Sequence, residues 1–288
     1  MKTTEARVIT NIGGRNYEIQ DDRIQFLDTR FYKCPDGSFA PSVTTVLNAY
    51  PKGPEFYDWI KKHGEDADTI RDEAGRRGSV VHNLTELYDQ GEVIQLMDHD
   101  GSPRYKLIEW AMFERYVDFC EAFPAKLHAV ELNVASAKVG YGGTLDRVMT
   151  LDCDGITRIV DIKTSGAVWP SYWLQQAAYH HLLFATGAAE RVLGPGVRGE
   201  DVRLSILWLN AKTRGPRKDA VQGKGWQLID QPETTEHYLD LFDKTRALWL
   251  AENAGQMPKE ISYQLQHQRN VGALGWEEQQ VTDANKQQ

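Results

Sequence analysis

The sequence lacks the features of a membrane span, a secreted scaffold or a nucleotide-driven motor. No run of about 18 apolar residues occurs in the 288-residue chain, so no membrane-spanning helix is expected. The opening residues MKTTEARVIT contain no apolar signal-peptide core, and the expected location is cytoplasmic. Only three cysteines are present, Cys34, Cys120 and Cys153, isolated in sequence and odd in number. They make neither a disulfide framework nor a four-thiolate site, so reduced thiols and no iron–sulfur cluster are expected. No Gly-x-x-x-x-Gly-Lys-Ser/Thr loop is present, so the chain is not expected to use ATP.

Basic residues are outnumbered by acidic ones, 33 to 41. The formal net charge of −8 does not attract nucleic acid globally, although local patches override a global field. The densest basic stretch, NAKTRGPRKDAVQGKG, sets Lys212, Arg214, Arg217, Lys218 and Lys224 against Asp219. Arg71, Arg76 and Arg77 form a second group, diluted by acids. Each reads as a solvated face or as a phosphate-contacting patch.

The composition is that of a globular domain, with 41% hydrophobic and 26% charged residues. Residues 6–40 read as β-hairpins, with a Gly-Gly turn in NIGGRNYEI and a Pro-Asp-Gly turn in RFYKCPDGSFAPS. SVTTVLNAY opens a short helix capped by Ser42, and PEFYDWIKKHG is a second helix stopped by Gly64. A long helix ends at Gly91, and another has Pro103 near its first turn and Pro124 beyond its end. Strands follow over roughly 127–139, 142–152 and 156–163, then a helix over about 170–187. VRLSILWLNAK and GWQLID are further strands, and a final helix precedes a glutamine-rich, aperiodic tail. The expected fold is α/β, a central mixed β-sheet flanked by helices. A single domain is expected over 1–255, with a partly disordered tail over 256–288.

The segment IVDIKTS carries the chemistry. It reads as a strand, and the period of two puts Asp161 and Lys163 on one face, with Val160 and Ile162 on the other. Of 15 lysines, only Lys163 has an acid two residues before it. The preceding strand, GTLDRVMTLDC, joins it through Asp154-Gly155, a hairpin signal. A turn at Asp154-Gly155 sets Asp146 opposite Lys163, and a turn at Cys153-Asp154 sets it opposite Asp161. Any even loop keeps Asp146, Asp161 and Lys163 on the same face. Directly opposed Cβ atoms lie roughly 5 Å apart, so two carboxylates can converge on one divalent cation. Mg²⁺ and Mn²⁺ take such hard oxygens, and the Ile162 carbonyl is a third candidate donor. Lys163 is positioned to stabilise negative charge on a phosphoryl group. The bland alternative is a surface charge ladder.

Together, GTLDRV, IVDIKTS and YWLQQAAY resemble the core of the PD-(D/E)XK nuclease superfamily, in its RecB-type exonuclease branch, and are similar to phage exonucleases and the mitochondrial genome maintenance exonuclease. The resemblance spans residues 42–183. It implies a metal aspartate at Asp146, a second acid at Asp161, a catalytic lysine at Lys163 and a metal-reaching histidine at His82 in RRGSVVHNLTELY. Leu145 stands where the family's proline often does. On its helix, His82 shares a face with Gly75 and Gly78, glycines that would let that face approach the sheet closely. Gln175 and Tyr179 match the family's downstream Gln-x-x-x-Tyr motif and share a helix face as DNA contacts. Ser42 and Thr44 match a Ser-x-Thr motif that contacts DNA phosphate; plain N-capping explains them equally well. Glu131, in a strand position where relatives often carry an acid, stays open as a ligand. Trp169 and Tyr172 stay open as base-stacking surfaces, while Trp173 reads as core.

The resemblance implies a Mg²⁺- or Mn²⁺-dependent deoxyribonuclease, an exonuclease on linear or single-stranded DNA in replication, recombination or repair. Its partners would be DNA ends and a helicase, recombinase or single-strand-binding protein. A structure-specific endonuclease on the same core and a catalytically inactive nucleic-acid-binding module are the alternatives.

Overall fold

Runs of β-forming residues buried on both faces, with glycine at the reversals, build the central strands of this chain. The computed structural model describes residues 9–12, 15–18, 23–26, 29–210, 225–253 and 258–260. β1 (Ile9–Ile12) and β2 (Arg15–Glu18) form the expected antiparallel hairpin. β3 (Arg23–Phe26), β4 (Thr29–Lys33) and β5 (Phe39–Pro41) form a second small antiparallel sheet. The β4–β5 turn closes where expected. Gly37 takes φ 84° there, and Asp36 Oδ1 accepts the Ser38 N–H at 3.0 Å.

Four helices then alternate with loops. α1 (Val43–Val46) is a single turn continued by a 3-10 turn. α2 (Pro54–His63) buries none of its ten residues. α3 (Ala67–Asp89) runs for 23 residues, and Gly91 takes φ 79° just beyond its end, a left-handed exit that glycine adopts without strain. α4 is Leu107–Ala122. It starts one turn later than expected from Pro103, because Glu109 Oε2 accepts the Lys106 N–H at 2.9 Å and fixes the helix start there.

The centre is a five-stranded mixed sheet. Its strands are β6 (Ala125–Ser136), β7 (Tyr141–Leu151), β8 (Thr157–Lys163), β9 (Val202–Trp208) and β10 (Gln227–Asp230), in the order β10-β9-β8-β7-β6. Only β8 and β9 run parallel, joined through α5 (Pro170–Ala185) and α6 (Ala188–Leu193). α7 (Thr235–Glu252) completes the layer on the α5 side. β11 (Lys259–Glu260) pairs with β1, so this part of the glutamine-rich tail is strand. The basic stretch 212–224 and residues 261–288 lie outside the described residues.

Strand parity sorts the two cores. Val148, Ile159, Leu204 and Ile206 pack against α5 and α7. Met149, Val160, Ile162 and Leu207 pack against Val81 of α3 and Met112 and Tyr116 of α4. Ile159, Val160 and Ile162 are fully buried, each worth roughly 1.5–3 kcal/mol in apolar burial. Among the described residues no helix is long and apolar enough to cross a membrane.

The β7–β8 hairpin takes the second of the two registers considered. Arg147 pairs with Val160 and Thr150 with Thr157, and Leu151 closes the loop on Ile156. The turn is therefore four residues long, with Gly155 at φ 67° as its left-handed corner. Asp154 serves the loop with its side chain, accepting the Ile156 N–H at 2.9 Å and pairing with Arg158 at 2.6 Å. This register sets Asp146 opposite Asp161, and the shared face survives.

Candidate metal and phosphoryl-transfer site

Three strands and two helices deliver the site. In β6–β7 pairing, Val130 partners Arg147 and Leu132 partners Leu145, leaving Glu131 opposite Asp146. Glu131 has φ 47°, and it is the single non-glycine residue with positive φ among the described residues. That conformation costs of order 1–3 kcal/mol and persists where surrounding contacts enforce it. Here Arg147 Nη1 donates to Glu131 Oε1 at 3.3 Å.

His82 arrives from α3. Its Nδ1 lies 3.5 Å from Asp146 Oδ2 and 3.8 Å from Glu131 Oε1. The ligand atoms of His82, Glu131 and Asp146 all lie within 4.8 Å of one another. Two carboxylates and an imidazole form a mixed oxygen and nitrogen donor set of the kind that holds a divalent cation. Glu131, which the sequence left open, thus joins the compact group. Asp161, the expected second ligand, sits beside it.

The second half of the site lies along β8 and α5. Lys163 Nζ is 2.6 Å from Asp161 Oδ2. Gln175 bridges the pair: its Nε2 donates to Asp161 Oδ1 at 3.0 Å, and its Oε1 accepts from Lys163 at 3.2 Å. Gln175 Nε2 also reaches Tyr179 Oη at 3.1 Å. The one-turn spacing of Gln175 and Tyr179 is what lets both meet. Asp161 is 2% exposed, and its Oδ2 is met by the Lys163 ammonium.

Asp146 joins the halves. Its Oδ2 accepts the Ile162 N–H at 2.7 Å. The regular β7–β8 ladder stops at the Arg147–Val160 pair, although both strands continue. In a strand the C=O and N–H of one residue point the same way, so the Ile162 carbonyl also faces the Asp146 side.

The charges follow from these contacts. Burial raises the Asp146 carboxyl from 3.8 to about 6, and nearby Asp161 and Glu131 add to that rise against His82. Burial disfavours the His82 cation, but Asp146 and Glu131 outweigh it and hold the imidazole above its ordinary value. Burial likewise opposes the Lys163 ammonium, and Asp161 with Asp146 overcomes it. Lys163 therefore stays cationic, suited to stabilising developing negative charge and unsuited to taking up a proton.

Sequence reasoning missed a supporting layer. Arg147 is fully buried. It pairs with Asp89 through Nε, donates to Thr85 Oγ1 at 3.0 Å and to the Asp146 carbonyl at 2.6 Å. Tyr116 Oη donates to Asp89 Oδ2 at 2.7 Å. The available signal was an arginine directly after Asp146 in a buried strand, which demands an acid on the opposite face.

Other expected residues fare differently. Ser42 caps α1, accepting the Thr45 N–H at 2.9 Å, and is buried; Thr44 is exposed and 2.9 Å from the Ser42 hydroxyl. The expected N-capping contact is present. Gly78 meets only the Thr164 side chain, and Gly75 faces open space, so the glycine face of α3 is not pressed against backbone. The close approach occurs instead at Gly142 and Gly143 of β7. A Cβ at Gly143 would fall 2.3 Å from the Tyr179 ring, so glycine there seats the tyrosine. Trp173 is core, stacked on Tyr238.

No protein-family model matches the chain, and no curated protein matches it significantly.

Proposed function

We propose that the chain is a Mg²⁺- or Mn²⁺-dependent deoxyribonuclease hydrolysing phosphodiester bonds, and that it acts as an exonuclease. The observation that carries this reading is the convergence of His82, Glu131 and Asp146 within 4.8 Å, beside a lysine paired to a buried aspartate. The motif resemblance to PD-(D/E)XK nucleases supports the same chemistry.

His82, Glu131 and Asp146 would hold the cation, with Asp161 Oδ2 and the Ile162 carbonyl adjoining. When bound, it would polarise the phosphoryl group and activate water. Lys163 sets its ammonium against the charge that develops on the phosphoryl oxygens. Gln175 fixes Lys163 and Asp161 in one orientation, and Tyr179 fixes Gln175. Arg147 holds Glu131 in its strained conformation. DNA, at single-stranded or duplex ends, is the substrate this reading implies; a helicase, recombinase or single-strand-binding protein would generate or protect those ends.

The test is digestion of linear and closed circular DNA with Mn²⁺ and with EDTA. Metal-dependent loss of the linear form with the circle intact is expected. Nicking of the circle would move the assignment to an endonuclease. No digestion of either would leave an inactive binding module.

A further inference from the structure

Beside Lys163 opens a cleft of about 650 Å³ between the α1–α2 connection and the start of α5. Tyr50, Phe56, Trp169 and Tyr172 line it. Tyr172 belongs to both places: its ring carries Lys163 Nζ 4.5 Å from its centroid, and the same ring lines the cleft. Trp169 is 41% exposed. α2, which supplies Phe56, buries none of its residues, and Phe56 stacks on Trp59 along it. Tyr50 and Tyr172 back the cleft from the core, and Phe56 and Trp169 extend its aromatic lining on either side, next to the Lys163 ammonium.

We infer that this cleft is a nucleobase subsite that takes an unpaired base next to the scissile phosphate by stacking, chiefly on Trp169. The charges of the cleft select this occupant over a phosphate. Lys52 and Glu55 both line it, so the one cation among the lining residues is offset by an anion, and most of what remains is aromatic and aliphatic surface. The phosphate is met at Lys163, and the base attached to it turns into the cleft. A paired base cannot enter, so the substrate must be single-stranded or frayed at that nucleotide. Stacking on aromatic side chains tolerates any base, so the subsite selects strandedness and leaves sequence unread.

This inference rests on the nuclease reading for the position of the scissile phosphate, and a binding measurement separates the two. Fluorescence anisotropy in EDTA would compare a labelled oligothymidylate with an abasic oligonucleotide of equal length, for the wild type, Trp169→Ala and Trp169→Phe. Trp169 makes no side-chain capping bond at the start of α5, so its loss leaves the helix in place. The wild type is expected to prefer the base-bearing strand. Trp169→Ala should bind it roughly 5- to 100-fold more weakly, with Trp169→Phe recovering most of that loss and binding of the abasic strand unchanged. Equal loss on both strands, no loss on either, or no binding of single strands by the wild type overturns the subsite. Base-dependent binding through Trp169 in a protein that cuts nothing with Mn²⁺ supports the subsite and defeats the nuclease reading alone.

Discussion

Ile162 gives its backbone N–H to Asp146 Oδ2 at 2.7 Å, beyond the point where the β7–β8 ladder ends. The side chain stands in for a strand carbonyl. At this break, His82 and Arg147 from the α3–α4 side meet Asp161, Lys163 and Gln175 from the α5 side. The same carboxylate therefore ties the two strands and belongs to the candidate metal group, and substitutions should separate the two roles.

Asp146→Ala removes the acceptor and leaves a buried N–H unsatisfied, at a cost of about 1–3 kcal/mol. Asp146→Asn keeps an acceptor oxygen and should cost clearly less. Both should lose Mn²⁺ binding. Urea unfolding and calorimetric titration would show it; equal stability losses would mean that the Ile162 contact does not hold the strands.

Lys163 and Asp161 should be energetically coupled. Lys163→Met strands a buried carboxylate, and removing one partner of a buried pair costs about 3–5 kcal/mol. The double variant Asp161→Asn/Lys163→Met should recover a large part of that loss. Additive losses in a double-mutant cycle would contradict the pairing.

Glu131 predicts an uncommon ordering. At φ 47° glycine is unstrained and alanine is not, so Glu131→Gly should be more stable than Glu131→Ala by about 1–2 kcal/mol. Both should weaken Mn²⁺ binding to a similar extent. A more stable alanine variant would show that the backbone there relaxes.

The pH dependence follows from the donor group. Asp146, raised from 3.8 to about 6, contributes stability that is fully present below pH 3.8 and lost as pH rises through about 6. His82, raised from 6.5, contributes stability present below pH 6.5 and lost as pH rises through its folded value. Glu131 is lowered from 4.5, because His82 and Arg147 overcome its burial, so its contribution is lost only as pH falls below that range. The metal-free melting temperature should therefore fall between pH 5 and 7.5. Mn²⁺ should raise it increasingly over the same window, since the cation competes with those protons. A flat profile, or one unchanged in Asp146→Asn, would contradict this.

Much of this arrangement was legible in the sequence, for identifiable reasons. Parity put Asp146, Asp161 and Lys163 on one strand face whichever turn formed, and helical spacing paired Gln175 with Tyr179. The register itself was not legible. Asp154-Gly155 signals a two-residue turn, yet Gly155 serves as the corner of a four-residue one while Asp154 binds Arg158. Glu131 was ambiguous because its role depends on a positive φ, which no strand pattern encodes. The buried Arg147–Asp89 pair joins residues 58 positions apart, a distance over which local patterns say nothing. Ser42 matched two explanations that its short motif does not separate, and the capping contact is compatible with both.

The most direct test is digestion of end-labelled linear DNA with Mn²⁺ by the wild type and by Lys163→Met, alongside Mn²⁺ titration of both. The predicted result is metal-dependent release of label by the wild type, with a rate at least about 100-fold lower in the variant while Mn²⁺ binding is retained. An inactive wild type that binds Mn²⁺, or a fully active Lys163→Met variant, would contradict the assignment of this site to phosphodiester hydrolysis.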